Sequence, residues 1–164
     1  MEQKLVQTPY SSKMSLKNVV ILGEHKSAII ESLINTSFEY PKVSDQLTSL
    51  RVWPIPNLPY QLWEVISSGA KTLDLYALLP TAVAGAILVC TVETLSEATK
   101  WLPPLRDKHI MVVIHVKDET SPLRLDSILP LELKNKTVAI GNLMSKESLK
   151  NLKTEIYDFL TTNI

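Results

Sequence analysis

Glycine is scarce in this sequence: four residues among 164, at positions 23, 69, 85 and 141, far apart from one another. Dinucleotide-binding loops need closely spaced glycines, because only a residue without Cβ lets backbone amides close on a pyrophosphate. A Gly-rich loop of that kind is therefore excluded. Cysteine is scarcer still. The single Cys90 lies inside an apolar run, which excludes an intramolecular disulfide framework and fits a reducing compartment. His25, His109 and His115 lie on separate stretches without ligand spacing, so no metal is expected. Charge of either sign is not in excess, with 17 basic and 17 acidic side chains. The basic surplus of a nucleic-acid binder is missing, and no nucleic acid is expected as a partner. Long apolar runs are also absent. The longest, 82–92, is about half of the roughly 20 residues a membrane helix needs. The first fifteen residues, MEQKLVQTPYSSKMS, carry no apolar signal core and no Gly at position 2. Residues 1–16 read as a flexible tail, and a cytoplasmic location is expected. No GxSxG string, paired-carboxylate arrangement, internal repeat or low-complexity tract appears.

What remains is ordinary globular usage, 45% hydrophobic and 21% charged. It suits a single domain over residues 17–164. Short apolar runs predict buried strands at 18–23, 84–92, 109–115 and 137–140. The run at 84–92 is apolar on both faces, as a central strand covered by helices would be. Residues 27–34, with apolar positions 29, 30, 33 and 34, predict a helix after the first strand. The stretches 49–55 and 60–66 are extended candidates broken by Pro54, Pro56 and Pro59, which places them as a hairpin at a sheet edge. A short helix is expected at 73–79. Another is expected at 95–102, with Thr94 and Glu97 as a capping box and Pro103-Pro104 as its stop. The stretch 125–133 suggests one short helix broken by Pro130. Ser145 is expected to cap a closing helix over 145–160, apolar at 149, 152, 156, 159 and 160. Strand and helix alternate. The fold class is therefore α/β, a doubly wound, mostly parallel sheet with helices on both faces and one antiparallel edge hairpin.

Several strings carry a family resemblance. NVVILGEHKSAIIESLI resembles the strand, phosphate loop and first helix of Ras-like small GTPases. YQLWEVISSG is similar to their third strand, which runs into a DxxG motif. AVAGAILVCTVETLSEATKWL, HIMVVIHVKDE and VAIGNLMSKESLKNLKTEIYDFL resemble the fourth strand, the strand ending in the guanine-reading NKxD, and the SAK loop with the final helix. The resemblance covers about residues 17–160 and leans toward the MglA-like and Rag-like branches. It implies the Ras-like G domain, a P-loop NTPase fold.

Each nucleotide motif departs from that pattern. The phosphate loop needs GxxxxGK[ST], so that successive amides wrap the phosphates while Lys reaches the β/γ oxygens. Here only two residues separate Gly23 from Lys26, where the motif has five, and Glu24 places a negative charge where phosphate would sit. Lys26 and Ser27 survive as nucleotide-binding candidates at the head of a helix. Glu64 stands at the Asp position of DxxG, Ser67 at its Gly position, Gly69 comes two residues late, and Ala70 follows where a water-positioning Gln would be. Thr36 and Thr48 are the only threonines of the switch-like stretch 36–48. The base-reading strand ends His115-Val116-Lys117-Asp118. Lys and Asp are thus adjacent instead of separated by one residue, which leaves Asp118 as a residual base reader.

The expected function is accordingly a non-catalytic pseudoGTPase, an interaction or scaffold subunit of a cytoplasmic complex, with no catalytic residues and no cofactor. The alternative is a divergent small GTPase that still binds GTP or GDP as a switch, through Lys26, Ser27 and Asp118. A receiver-like regulatory domain is disfavoured, since Glu24 is the only acid in the stretch 19–27 and Cys90-Thr91-Val92 offers no phosphoacceptor. For partners, Trp53, Tyr60 and Trp63 are candidate docking residues on the hairpin, because aromatic side chains dominate interface hot spots. The resemblance suggests roadblock- or longin-type proteins, or a second GTPase-like subunit.

Overall fold

The computed structural model describes residues 16–34, 50–65, 82–105, 107–118 and 125–164. The expected tail (described only at Leu16), the helix at 73–79, and Thr36, Thr48, Ser67, Gly69 and Ala70 lie outside the described residues.

Six strands form one sheet: β1 (Lys17–Gly23), β2 (Leu50–Pro54), β3 (Tyr60–Val65), β4 (Gly85–Thr91), β5 (His109–His115) and β6 (Thr137–Gly141). Their spatial order is β2-β3-β1-β4-β5-β6. Every pairing is parallel except β2–β3, the edge hairpin read from the prolines. Pro54, which cannot donate to a ladder, closes the edge strand β2. Taken alone, the five parallel strands keep the 2-1-3-4-5 order of flavodoxin-like and receiver domains; the antiparallel edge strand β2, inserted in sequence between β1 and β3 and paired outside β3, is what departs from that fold.

The apolar strands are buried on both faces because both are covered. Helix α1 (Lys26–Ile34) and the closing helix α4 (Lys146–Asn163) lie on one face. Their residues Ile29, Ile30, Leu33, Leu152, Ile156, Phe159 and Leu160 meet Val19, Ile21, Ile87, Val89, Met111 and Val113 there. The other face carries a 3₁₀ helix (Leu95–Trp101), the four-residue α2 (Leu102–Leu105), α3 (Leu125–Ile128) and a 3₁₀ turn at Leu131–Leu133. The last two flank Pro130, as the proline implied. Ser145 caps α4, its Oγ accepting from the Ser148 N–H at 3.3 Å.

Two local expectations fail. Thr94 does not cap its helix, because its Oγ1 accepts instead from the Thr91 N–H at 2.9 Å, closing the turn after β4. Pro103 and Pro104 do not stop the helix. They sit inside α2, whose single turn leaves its first N–H groups without helical acceptors, so a missing N–H costs little there.

Candidate functional site

In a doubly wound sheet, ligands bind beyond the carboxyl ends of the strands, where the strand order reverses. Here that place is the end of β1 beside β4. The chain leaves β1 at Gly23 and enters α1 at Lys26, so the connecting turn is Glu24 and His25 alone. Gly23 has φ +107°, and a Cβ built there would fall 1.9 Å from the Val89 carbonyl oxygen. That carbonyl accepts the Glu24 N–H at 3.1 Å. Gly23 is thus a close-packing glycine that lets the turn press onto β4, and the Glu24 amide is used within the fold. His25 completes the reversal with φ 60°, a left-handed conformation unusual for a residue with a side chain.

That backbone brings the His25 ring to His115, the last residue of β5. The ring centroids are 4.7 Å apart at an interplanar angle of 45°. His115 lies on the α1/α4 face, is 6% exposed, and accepts the Leu143 N–H on Nδ1 at 3.0 Å. Its pKa is lowered, first by burial and then by the neighbouring His25 and Lys117, against an opposing backbone hydrogen bond at Gly141. Two imidazoles therefore bridge from the β1–α1 turn to the β6–α4 loop. No spacing signal marks this pair, since the two histidines are 90 positions apart. Among the described residues no three His, Cys, Asp or Glu side chains gather as a metal site.

The nucleotide candidates occupy this same edge without converging. The Lys26 ammonium donates to the Gly23 carbonyl at 3.4 Å, across its own turn. Ser27 is exposed in the first turn of α1. Asp118 is exposed beyond β5, two strands away from β1, roughly 10 Å at ordinary strand spacing. Glu64 is buried at 3% exposure, and its Oε1 accepts the Trp53 indole N–H at 3.0 Å. The carboxylate at the motif's metal-binding position is therefore engaged by a side chain of the edge strand.

The aromatic candidates are rearranged more severely. Trp53 and Tyr60 are each 6% exposed and belong to the core under α1 and α4. Strand register pairs Trp53 with Leu62 and Val52 with Trp63. Side chains alternate along each strand, so Trp53 and Trp63 face opposite sides of the sheet. Trp63 is half-buried against the other core, and its Nε1 is buried with no hydrogen-bond partner among the described residues. A shared exposed patch of Trp53, Tyr60 and Trp63 does not form.

A cavity of about 360 Å³ opens on the far side of the same strand ends, lined by residues that include Leu22, Glu24, Leu88, Cys90, Thr94 and Ala98. Cys90 is no nucleophile there. Burial, reinforced by the Glu24 carboxylate, pushes its thiol up to about 11, so the thiolate is scarce at neutral pH.

No family model matches the chain, and no curated protein matches it. Solved structures do. A probable GTP-binding protein EngB superposes with a TM-score of 0.63 at 13% identity, covering 89% of this chain and 100% of its own. The G domain of FeoB from Methanococcus jannaschii gives 0.54 at 11% identity, over 89% of this chain and 97% of its own. The G domain of the T. maritima FeoB iron transporter gives 0.55 at 16%, over 88% and 99%. These matches establish the fold as that of P-loop GTPase G domains.

Proposed function

We propose that this G-domain fold serves as a non-hydrolytic interaction module, a pseudoGTPase. One observation carries the reading: the turn between β1 and α1 has two residues, and His25 within it closes on His115. A phosphate-wrapping loop works by presenting a run of free amides around the phosphate, with Lys reaching the outer oxygens. A two-residue turn cannot encircle a phosphate. Its Glu24 amide is bonded to Val89, and its Lys26 ammonium lies against its own backbone. Glu64 is bonded to Trp53, away from metal duty. A domain that keeps the sheet, both cores and the helices without this loop retains the surfaces of the fold. Its expected work is contact with another protein in a cytoplasmic complex, and a roadblock-like, longin-like or GTPase-like subunit is the first class to test.

A second reading has its own support. The structural neighbours include a GTP-binding protein and two G domains, and Lys26-Ser27 still head α1. On that reading the domain is a switch that binds GTP or GDP by altered contacts. Titration of freshly purified protein with a fluorescent GDP or GTP analogue, with and without Mg²⁺, separates the two. The pseudoGTPase reading expects no saturable micromolar binding, no nucleotide released on denaturation, and no change on Lys26→Ala. Tight Mg²⁺-dependent binding abolished by Lys26→Ala would replace it with the switch.

A further inference from the structure

We propose that His115 is an acid-released latch: its neutral imidazole pins the β6–α4 loop at Leu143, and protonation frees that loop. The loop runs from Gly141 to Ser145 and turns tightly. The Asn142 N–H donates to Ser148 Oγ at 2.8 Å, the Met144 N–H to Asn142 Oδ1 at 2.9 Å, and the Ser145 N–H to the Asn142 carbonyl at 3.0 Å. Leu143 is anchored in the α1/α4 core at 1% exposure. Its amide is the group that reaches across to β5, donating to His115 Nδ1 at 3.0 Å. That bond requires an unprotonated Nδ1. An imidazolium carries N–H on both nitrogens, so protonation sets donor against donor at a buried position.

The surroundings oppose the cation. On the pairing strands the register neighbours are Thr91 and Gly141, both uncharged. The β1–α1 turn brings the His25 ring to 4.7 Å, flanked by Glu24 and by Lys26, whose ammonium points to the Gly23 carbonyl. Lys117 and Asp118 follow His115 at the strand end, and Lys146 and Glu147 are exposed in the first turn of α4. Burial comes first among the causes that hold the His115 pKa below its ordinary value, then His25 and Lys117, with the Gly141 backbone working the other way. The sign follows. The fold prefers neutral His115, so the latch is fully engaged above the ordinary histidine value of about 6.5 and weakens as pH falls toward the lowered folded value. Release uncovers the mouth of the strand ends next to His25.

The test is ¹⁵N NMR on the full chain between about pH 8 and pH 5, the range spanning histidine titration. It follows the His115 ring nitrogens and the exchange protection of the Leu143 amide, corrected for intrinsic exchange. Leu143 protection should fall as pH drops below the ordinary histidine value of about 6.5, by as much as about tenfold per pH unit, and level off once pH passes the lowered folded value. Val112 and Val113, in the middle of β5, should hold theirs. His115→Asn keeps an acceptor near Nδ1 but cannot titrate, so it should give a flat profile. His25→Gly, tolerated at a positive φ, removes a neighbour that lowers the pKa and should move the midpoint upward. Flat Leu143 protection in the wild type, an unchanged drop in His115→Asn, or a His25→Gly midpoint that stays put or moves down would overturn the proposal.

Discussion

Gly23 offers the sharpest separation between architecture and nucleotide chemistry, because in the motif its position belongs to phosphate binding. In this structure its role is close packing, and Gly23→Ala tests that. The added Cβ meets the Val89 carbonyl oxygen at 1.9 Å and its carbon at 2.9 Å, both backbone atoms of the central strand β4. Neither can swing away as a side chain could. A φ of +107° adds backbone strain on the order of 1–3 kcal/mol for any residue with a Cβ. Forcing the turn away from β4 adds an overpacking cost of about 1–3 kcal/mol. The same movement breaks the Glu24 N–H to Val89 bond, leaving polar groups short of partners at about 1–3 kcal/mol. The last two overlap, since the shift that relieves one causes the other, so a total of roughly 2–6 kcal/mol is expected. That is a large share of the about 5–15 kcal/mol typical of a domain. For a domain of this size it lowers Tm by roughly 4–24 °C. Urea unfolding followed by Trp fluorescence and by far-UV circular dichroism measures it, with wild-type protein alongside. An alanine variant within about 1 kcal/mol of wild type would refute the close-packing reading and reopen the turn as a loop with room for a ligand.

Two further outcomes follow from buried polar groups. Trp53→Phe keeps an aromatic ring at a 6%-exposed site but removes the N–H that Glu64 accepts, leaving a buried carboxylate short of a donor. A loss of about 1.5–3 kcal/mol is expected in urea unfolding, smaller in a Glu64→Gln background, where a neutral carbonyl accepts in place of the carboxylate, and equal losses in both backgrounds would mean that the carboxylate's charge adds nothing to the bond. Cys90, raised to about 11 by burial and then by Glu24, should resist a thiol-reactive disulfide reagent in the native protein at mildly alkaline pH and react fully once unfolded. Stoichiometric reaction on mixing with folded protein would show that the β4 end is open to solvent.

The sheet was readable because its signal is local. A run such as 85–91 can be covered on both faces only in the middle of a layer, and closely spaced prolines at 54, 56 and 59 can only sit at an edge. The aromatic patch was misread because register is not local. Trp53 and Trp63 look equivalent along the chain, yet pairing Val52 with Trp63 sends them to opposite faces. A one-residue slip of β2 would have put both on one face. Thr94 shows the same limit at smaller scale: its hydroxyl could serve the helix ahead or the turn behind, and the turn after β4 takes it. At the candidate site, the short turn was legible as a count between Gly23 and Lys26, whereas what fills the space was not. The alternation along β5 puts His115 with Met111 and Val113 on the α1/α4 face, which marks it as a buried histidine. Only the parallel order β1-β4-β5, together with the left-handed His25, brings the second ring beside it. Residues at the turn, at the end of β5 and in the loop before α4 are packed and bonded to one another across the strand ends. Lengthening the turn alone, by inserting a full GxxxxGK loop, would leave the His115–Leu143 bond in place, and nucleotide binding should return only if the β5 and β6 ends are rebuilt with it.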